Sequence, residues 1–149
     1  CMSHLLLKDT FDNFSFIEGE ITTFNKFTIS GFLQEDYFDE KPEETYSRWN
    51  KIRDFCFQII RGKRTPLGFK IVLALPEDQI PHFLTAHGLT GYRPEEIRGL
   101  YLNFHYDGHH LQCITGTSLN TFTMDKSIER EWDQEVKNIL KSRSIEGDY

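Results

Sequence analysis

The chain has 149 residues, a net charge of -6 at pH 7, 38% hydrophobic residues and a mean hydropathy of -0.50. A chain of this length buries roughly two thirds of its unfolded surface, so it needs neither a metal nor a disulfide to stabilise a small core. Its longest apolar run is five residues, Ile71 to Leu75, against the ~20 of a membrane-spanning helix, which excludes a helical membrane protein.

The three cysteines are Cys1, Cys56 and Cys113. Their odd number and wide spacing fit neither a disulfide framework nor a pair of zinc ligands. They are predicted to be free thiols in a reducing cytoplasm. The run Leu5 to Leu7 is too short for the apolar region of a secretory signal, so no such signal is predicted.

The first strands are predicted over residues 14 to 33, where β-branched and aromatic residues dominate. Apolar and polar residues alternate toward the end of this stretch, which is typical of a half-buried strand. The turn is placed either near Gly19 or at Asn25-Lys26. Residues 34 to 47 carry six acids and one base and predict a loop or flap outside the core.

An amphipathic helix is predicted from Tyr46 to Arg61, because apolar residues recur there at steps of three and four. Those residues are Trp49, Ile52, Cys56, Ile59 and Ile60. Gly62 would cap the helix and Pro66 would stop it from resuming. The apolar stretch from Leu67 to Leu75 then predicts a well-buried strand.

Two further helices are predicted from capping residues and apolar stripes. One begins with Asp78 as its N-cap and ends at Gly88. Its inner stripe is Ile80, Phe83, Leu84 and His87. The other is capped by Asp125, and its stripe is Ile128, Trp132, Val136, Ile139 and Leu140.

The strongest local signal is a hairpin from Leu100 to Gly116. Asp107-Gly108 suits a two-residue type I′ turn, since both residues tolerate positive φ. That turn would pair Tyr106 with His109, and the continuing register would oppose Phe104 to Leu111, Leu102 to Cys113, and His105 to His110. One face of the hairpin would be apolar and the other polar.

These elements predict a single α+β domain over residues 1–149, an antiparallel sheet covered by helices. A third strand from Leu119 to Met124 would follow a Gly-Thr-Ser turn. The second half would then read strand, helix, three strands and helix. The first half is a candidate repeat of it, with residues 1–61 and 67–142 as the two copies.

The predicted core is drawn from every element. It comprises Leu102, Phe104, Leu111, Cys113, Ile59, Trp49, Phe69, Ile71, Phe83, Trp132 and Val136.

Four passages, Ile21 to Asn25, Arg61 to Pro66, Gly99 to Asn103 and Thr115 to Leu119, together resemble an uncharacterised family of small clostridial proteins. The likeness spans nearly the whole chain. It implies a bacterial cytoplasmic domain and brings no activity with it.

A second resemblance concerns the fold. Residues Ile97 to Phe122, with their Asp-Gly turn and Thr-Gly-Thr-Ser passage, are similar to a hairpin of bacterial DNA sliding clamp domains. Those domains are built from two strand-helix-three-strand units. Clamp chains join several such domains into a ring, whereas this chain supplies one, so the resemblance does not transfer function.

Charge is distributed unevenly and suggests an anion site. Residues 48 to 70 carry seven bases against one acid, directly after the acidic segment. Lys63 and Arg64 follow a glycine, where a point charge and a bidentate fork can bind phosphate. The candidate anion-binding residues are Arg61, Lys63, Arg64 and Lys70. The alternative is that the acidic flap neutralises the basic segment, or that solvent surrounds both.

Six histidines raise a metal hypothesis, and its geometric support is the predicted pair His105 and His110. Directly opposed residues have Cβ atoms ~5 Å apart, within reach of one ion. No third ligand is identifiable. A polar cross-strand pair on the solvated side of the hairpin explains the same two residues.

Catalytic motifs are weak. Cys56 and Cys113 lie on apolar faces and are predicted to pack in the core. Ser118 lacks the Gly-x-Ser-x-Gly elbow, and the chain contains no glycine-rich phosphate loop, so no cofactor is predicted.

The sequence therefore favours a non-catalytic cytoplasmic module that binds a polyanion such as nucleic acid, or a protein partner. The net charge of -6 argues against a strong general affinity for DNA. The alternative functions are a small enzyme with its site near residues 62–66, or a metal site on the hairpin.

Overall fold

A computed structural model describes residues 11–40, 45–61, 66–89, 91–120 and 126–142. Its strands are β1 (Ser15–Thr22), β2 (Lys26–Ser30), β3 (Gly68–Ala74), β4 (Ile97–Tyr106) and β5 (Leu111–Leu119). Its α-helices are α1 (Trp49–Ile60), α2 (Ile80–Ala86) and α3 (Ser127–Ser142). Short 3-10 turns span Glu35–Tyr37, Glu77–Gln79 and Pro94–Glu96. The predicted α+β fold is confirmed.

The five strands form one antiparallel sheet in the order β2-β1-β3-β4-β5. β1 and β3 are neighbours although β2 and α1 lie between them in the chain. The turn between β1 and β2 lies at residues 23–25, where Thr23 donates its N–H to the Asn25 carbonyl at 2.8 Å. This agrees with the Asn25-Lys26 alternative and excludes Gly19, which lies inside β1.

The helices cover one face of the sheet. A single cluster of buried residues joins the inward side chains of β1, β3 and β4 to the buried residues of all three helices. We call this the inner face and the opposite side the outer face. Of the predicted core, Leu102, Phe104, Trp49, Phe69, Ile71, Phe83, Trp132 and Val136 are buried, and Leu111, Cys113 and Ile59 are partly buried against the cluster.

The helix boundaries differ in detail from the prediction. α1 begins at Trp49 rather than Tyr46, and the residue before it, Arg48, makes no side-chain cap. Asp78 does not cap α2, because it lies inside the 3-10 turn that precedes the helix. Gly88, with φ of 68°, ends α2 as predicted. The predicted caps Gly62 and Asp125 lie outside the described residues.

A bulge in β1 fixes how the chain enters the sheet. The register with β3 shifts between Phe16 and Glu18, so Ile17 is the extra residue. Phe16 points into the core and is fully buried against Trp49, with ring centroids 5.7 Å apart. Gly31 lies directly behind it and donates its N–H to the Ile17 carbonyl at 2.8 Å.

The hairpin of β4 and β5 has the predicted faces but a different register. Tyr106 pairs with Leu111 rather than His109, and Phe104 pairs with Cys113 rather than Leu111. The cause is the Asp107 carboxylate, which accepts the backbone N–H groups of His109 and His110 at 2.9 and 2.8 Å. These bonds centre the turn on Gly108 and His109, one residue later than predicted, and Gly108 has φ of 97°.

The turn predicted at Gly116 to Ser118 is wrong, because these residues lie inside β5 and pair with Tyr101 to Gly99. β5 continues to Leu119, and the rest of the predicted third strand lies largely beyond the described residues. The described part of the N-terminal half contains two strands and a helix. It shows no second strand-helix-three-strand unit, so neither the duplication nor the clamp likeness is seen there.

Candidate binding site on the outer face of the sheet

The outer face carries a row of polar residues that crosses four strands. Glu20 of β1 pairs with Lys70 of β3, Lys70 pairs with His105 of β4, and His105 pairs with Gln112 of β5. All four are exposed. Because alternate residues of a strand face opposite sides, their neighbours Phe69 and Phe104 point into the core while this row faces outward.

The middle of the row borders a shallow hollow of about 340 Å³. Its floor and walls include Thr22, Gly68, Lys70, His105 and Asp107. Gly68 is required because β4 lies so close: a Cβ at this position would come within 2.7 Å of the Tyr106 carbonyl oxygen. The absence of a side chain there keeps the hollow open.

The carboxylates around the hollow have partners among the described residues, whereas Lys70 forms no ion pair with any of these residues. Glu20 pairs with Lys26 of β2, Oε1 to Nζ 3.1 Å. The Asp107 carboxylate is held by the N–H groups of His110 and His109, and these hydrogen bonds lower its pKa. Lys70 lies opposite Glu20 and lines the same hollow as both carboxylates.

The four residues of the predicted anion site are only partly placed. Lys70 lies in the hollow. Arg61 is exposed just after α1, where its N–H donates to the Phe57 carbonyl at 2.8 Å. Lys63 and Arg64 lie outside the described residues, as does most of the 62–66 loop. The structure therefore places Lys70 in the hollow beside His105, which the sequence had assigned to the metal hypothesis.

The predicted metal pair is wrong in its geometry. His105 lies opposite Gln112, and His110 lies beyond the end of β5, in the turn region. The shifted hairpin register described above separates them. Among the residues that the structure describes, no group of three His, Cys, Asp or Glu side chains could hold a metal ion.

The two described cysteines pack rather than react. Cys56 is fully buried in α1 and Cys113 is partly buried on the inner face of β5. Burial raises the pKa of each thiol to about 12. Because the thiolate is the nucleophile, neither group is activated.

Sequence reasoning missed a partly buried contact between the C-terminal end of α2 and α3. His87 is 13% exposed, and its ring nitrogens face two carboxylates: Nδ1 lies 2.7 Å from Glu131 Oε2 and Nε2 lies 2.6 Å from Glu135 Oε2. A neutral imidazole would set a lone pair against one of these oxygens, so the imidazolium fits best. The stripe prediction placed His87 inward, but only the packing of two helices reveals its partners.

This contact predicts a pH-dependent stability. Burial lowers the pKa of His87, but the hydrogen bonds and charges of Glu135 and Glu131 outweigh it and raise the pKa above 6.5. The stabilisation is therefore complete below pH 6.5 and is lost as the pH rises through the raised native value. As the pH rises through this value, we expect the free energy of unfolding to fall by about 1 to 2 kcal/mol. This is the usual contribution of charge-assisted hydrogen bonds that solvent partly screens.

Urea unfolding at a series of pH values measures this fall. His87→Gln should flatten the profile, while His82→Gln, at an exposed position of α2, should leave it unchanged. An unaltered profile in the His87 variant would show that other groups control the pH dependence.

Comparison with known proteins gives one match. A family model described as a family of unknown function (DUF5721) matches residues 4–148. Neither the search of curated proteins nor that of solved structures found a significant match. No helix in the described part of the chain has the length and apolar character needed to cross a membrane.

Proposed function

The chain belongs to DUF5721, a family of unknown function, and we propose that it is a non-catalytic module that binds a phosphate-bearing polymer on the outer face of its sheet. The observation that carries this proposal is the pairing of Lys70 with His105 in an open hollow. The Lys70 ammonium, which forms no ion pair with a described residue, and the exposed His105 imidazole offer phosphate oxygens a point charge and a hydrogen-bond donor.

A second aromatic group on the same face favours a chain-like ligand over a small molecule. On β4, Tyr101 lies on the same face as His105, four residues away, which corresponds to ~13 Å along a strand. Its ring covers Gly99, where a Cβ would come within 2.4 Å of the ring. A polymer held by its phosphates at Lys70 could place a base against this ring, as single-strand binders do.

The described residues favour binding over catalysis. The hollow contains neither thiol, and its two carboxylates are engaged, Glu20 with Lys26 and Asp107 with the turn backbone. We also propose a cytoplasmic location, because Cys56 and Cys113 are free thiols and a reducing compartment preserves them. The overall charge of -6 confines the proposed affinity to this face.

Fluorescence anisotropy with labelled single-stranded DNA, single-stranded RNA and inorganic polyphosphate tests the proposal. Binding should weaken as salt rises, since neutralised phosphates release counterions. Lys70→Ala should weaken binding about three- to tenfold and reduce the salt slope by about one, as expected for the loss of one phosphate contact. Polyphosphate binding without oligonucleotide binding would remove the role of Tyr101.

Lys51→Ala is the matched control, because it removes the same charge from an exposed position on α1. It should leave binding unchanged. Equal losses in the two variants would mean that net charge alone governs the affinity. Absence of salt-sensitive binding by the wild type at low ionic strength would contradict the proposal altogether.

A further inference from the structure

The two edges of the sheet are built differently. β2 is five residues long and begins with Lys26, so its edge is short and charged. β5 is nine residues long, and its sequence LQCITGTSL contains no charge and no proline. Proteins protect free strand edges with charges, prolines or short lengths, and β5 has none of these.

No other strand in the described part of the chain pairs with the outer side of β5, and this edge presents regularly spaced backbone groups. The Asp107 N–H donates to the His110 carbonyl at 3.3 Å, and the side-chain Nδ2 of Asn103 donates to the Ile114 carbonyl at 3.2 Å. Because antiparallel pairs alternate, these bonds direct the backbone of Gln112 and Ile114 toward β4. The N–H and C=O groups of the intervening residues then point away from the sheet. Those residues are Leu111, Cys113, Thr115 and Thr117.

We propose that this edge binds a second copy of the chain, with the two β5 strands antiparallel about a twofold axis at Ile114. In this arrangement the outward N–H and C=O groups of Cys113 bond to those of Thr115 of the second copy. This agrees with the alternation of hydrogen-bonded and non-hydrogen-bonded pairs in an antiparallel ladder. It also sets Ile114 against its own counterpart. Ile114 is 54% exposed on the outer face, and this pairing buries it.

Charge complementarity favours a second copy over an unrelated peptide. A groove of about 450 Å³ runs between β5 and α3, and Asp133 and Lys137 both line it. The Thr115 hydroxyl donates a hydrogen bond to Asp133, which places Asp133 on the C-terminal side of Ile114. Lys137 follows one helical turn later, farther along β5. The twofold axis at Ile114 therefore sets Asp133 of one copy toward Lys137 of the other.

The resulting assembly is a continuous ten-stranded sheet, because each copy contributes its five strands. One pair of nine-residue strands buries less area than a permanent dimer interface. The dimer should therefore form reversibly with rising protein concentration. This inference is independent of the anion site, since Lys70 and His105 lie on other strands.

Sedimentation equilibrium over a wide concentration range tests the dimer. The wild type should show reversible monomer-dimer association. Ile114→Lys should weaken it about a hundredfold or more, because two like charges would oppose each other at the axis. Its thermal unfolding should match the wild type, since position 114 is exposed in the monomer.

Cross-linking tests the register. Under mild oxidation Ile114→Cys should give a covalent dimer, because opposed Cβ atoms lie ~5 Å apart. Ser118→Cys is the matched control on the same strand and face. With the twofold axis at Ile114, the two thiols introduced at position 118 would lie eight residues apart along the paired strands, a distance of roughly 27 Å. It should therefore cross-link no more than the wild type, whose native cysteines set the background.

Two results would overturn the inference. One is a wild type that remains monomeric at every concentration, which would leave an extended peptide as the remaining candidate for this edge. The other is a dimer that persists in Ile114→Lys, which would place the contact on a different surface.

Discussion

Phe104→Ala should lower the free energy of unfolding by about 3 to 5 kcal/mol, the usual cost of truncating a buried aromatic residue. Phe104 is fully buried in β4, and its ring packs edge-on against Phe11 with centroids 5.2 Å apart. β4 pairs with strands on both sides, so neighbouring backbone cannot easily collapse into the cavity.

Chemical denaturation measures this loss, provided that the free energy of unfolding depends equally steeply on denaturant concentration in the variant and the wild type. Phe24→Ala is the control, because it removes the same ring from a position that is 88% exposed. It should change the stability by less than about 0.5 kcal/mol, as surface substitutions usually do. A loss below about 1 kcal/mol at Phe104 would be incompatible with the assigned inner face.

Gly31→Ala should be at least as damaging, for a different reason. A Cβ at this position would come within 1.8 Å of the Phe16 carbonyl oxygen and 2.7 Å of its carbonyl carbon. Both contacts are with backbone, so no side chain can rotate away. Relief requires the bulge in β1 to move, and with it the packing of Phe16 on Trp49. We expect a loss of about 3 kcal/mol or more, at the severe end of overpacking.

Gly91→Ala provides the comparison, because a Cβ there meets nothing within 4 Å. Thermal unfolding of the two variants should differ strongly, with Gly91→Ala close to the wild type. If Gly31→Ala unfolded at the same temperature as the wild type, the close approach of the chain to Phe16 would be refuted.

The hairpin shows how far sequence patterns determine structure here. Period-two alternation assigned the faces of β4 and β5 correctly. Moving the turn by one residue changes each cross-strand partner by two residues, so every side chain stays on the same face of the hairpin. The register itself was wrong. Generic turn preferences favoured Asp107 and Gly108 as the two central residues of the turn. In the structure the Asp107 carboxylate accepts two backbone N–H groups, and the central residues are Gly108 and His109 instead.

The candidate sites show a second limit. Local composition drew attention to Lys70 and to His105 separately, but their pairing depends on β3 and β4 being neighbours. That order is a property of the whole sheet. His87 likewise finds Glu131 and Glu135 only when α2 packs on α3. Periodicity along the chain carries no information about which elements become neighbours.

The sheet order also has a consequence for how the chain acquires its structure. β4 and β5 are joined by a tight turn and can pair within microseconds, whereas β1 meets β3 across a separation of about 50 residues. During synthesis, the hairpin of β1 and β2 leaves the ribosome before β3. Until β3 has been synthesised, the backbone groups on one side of β1 have no strand to pair with. We therefore expect refolding to be limited by closure of the β1 and β3 ladder, and nascent chains that end before Gly68 to be the forms most prone to aggregate.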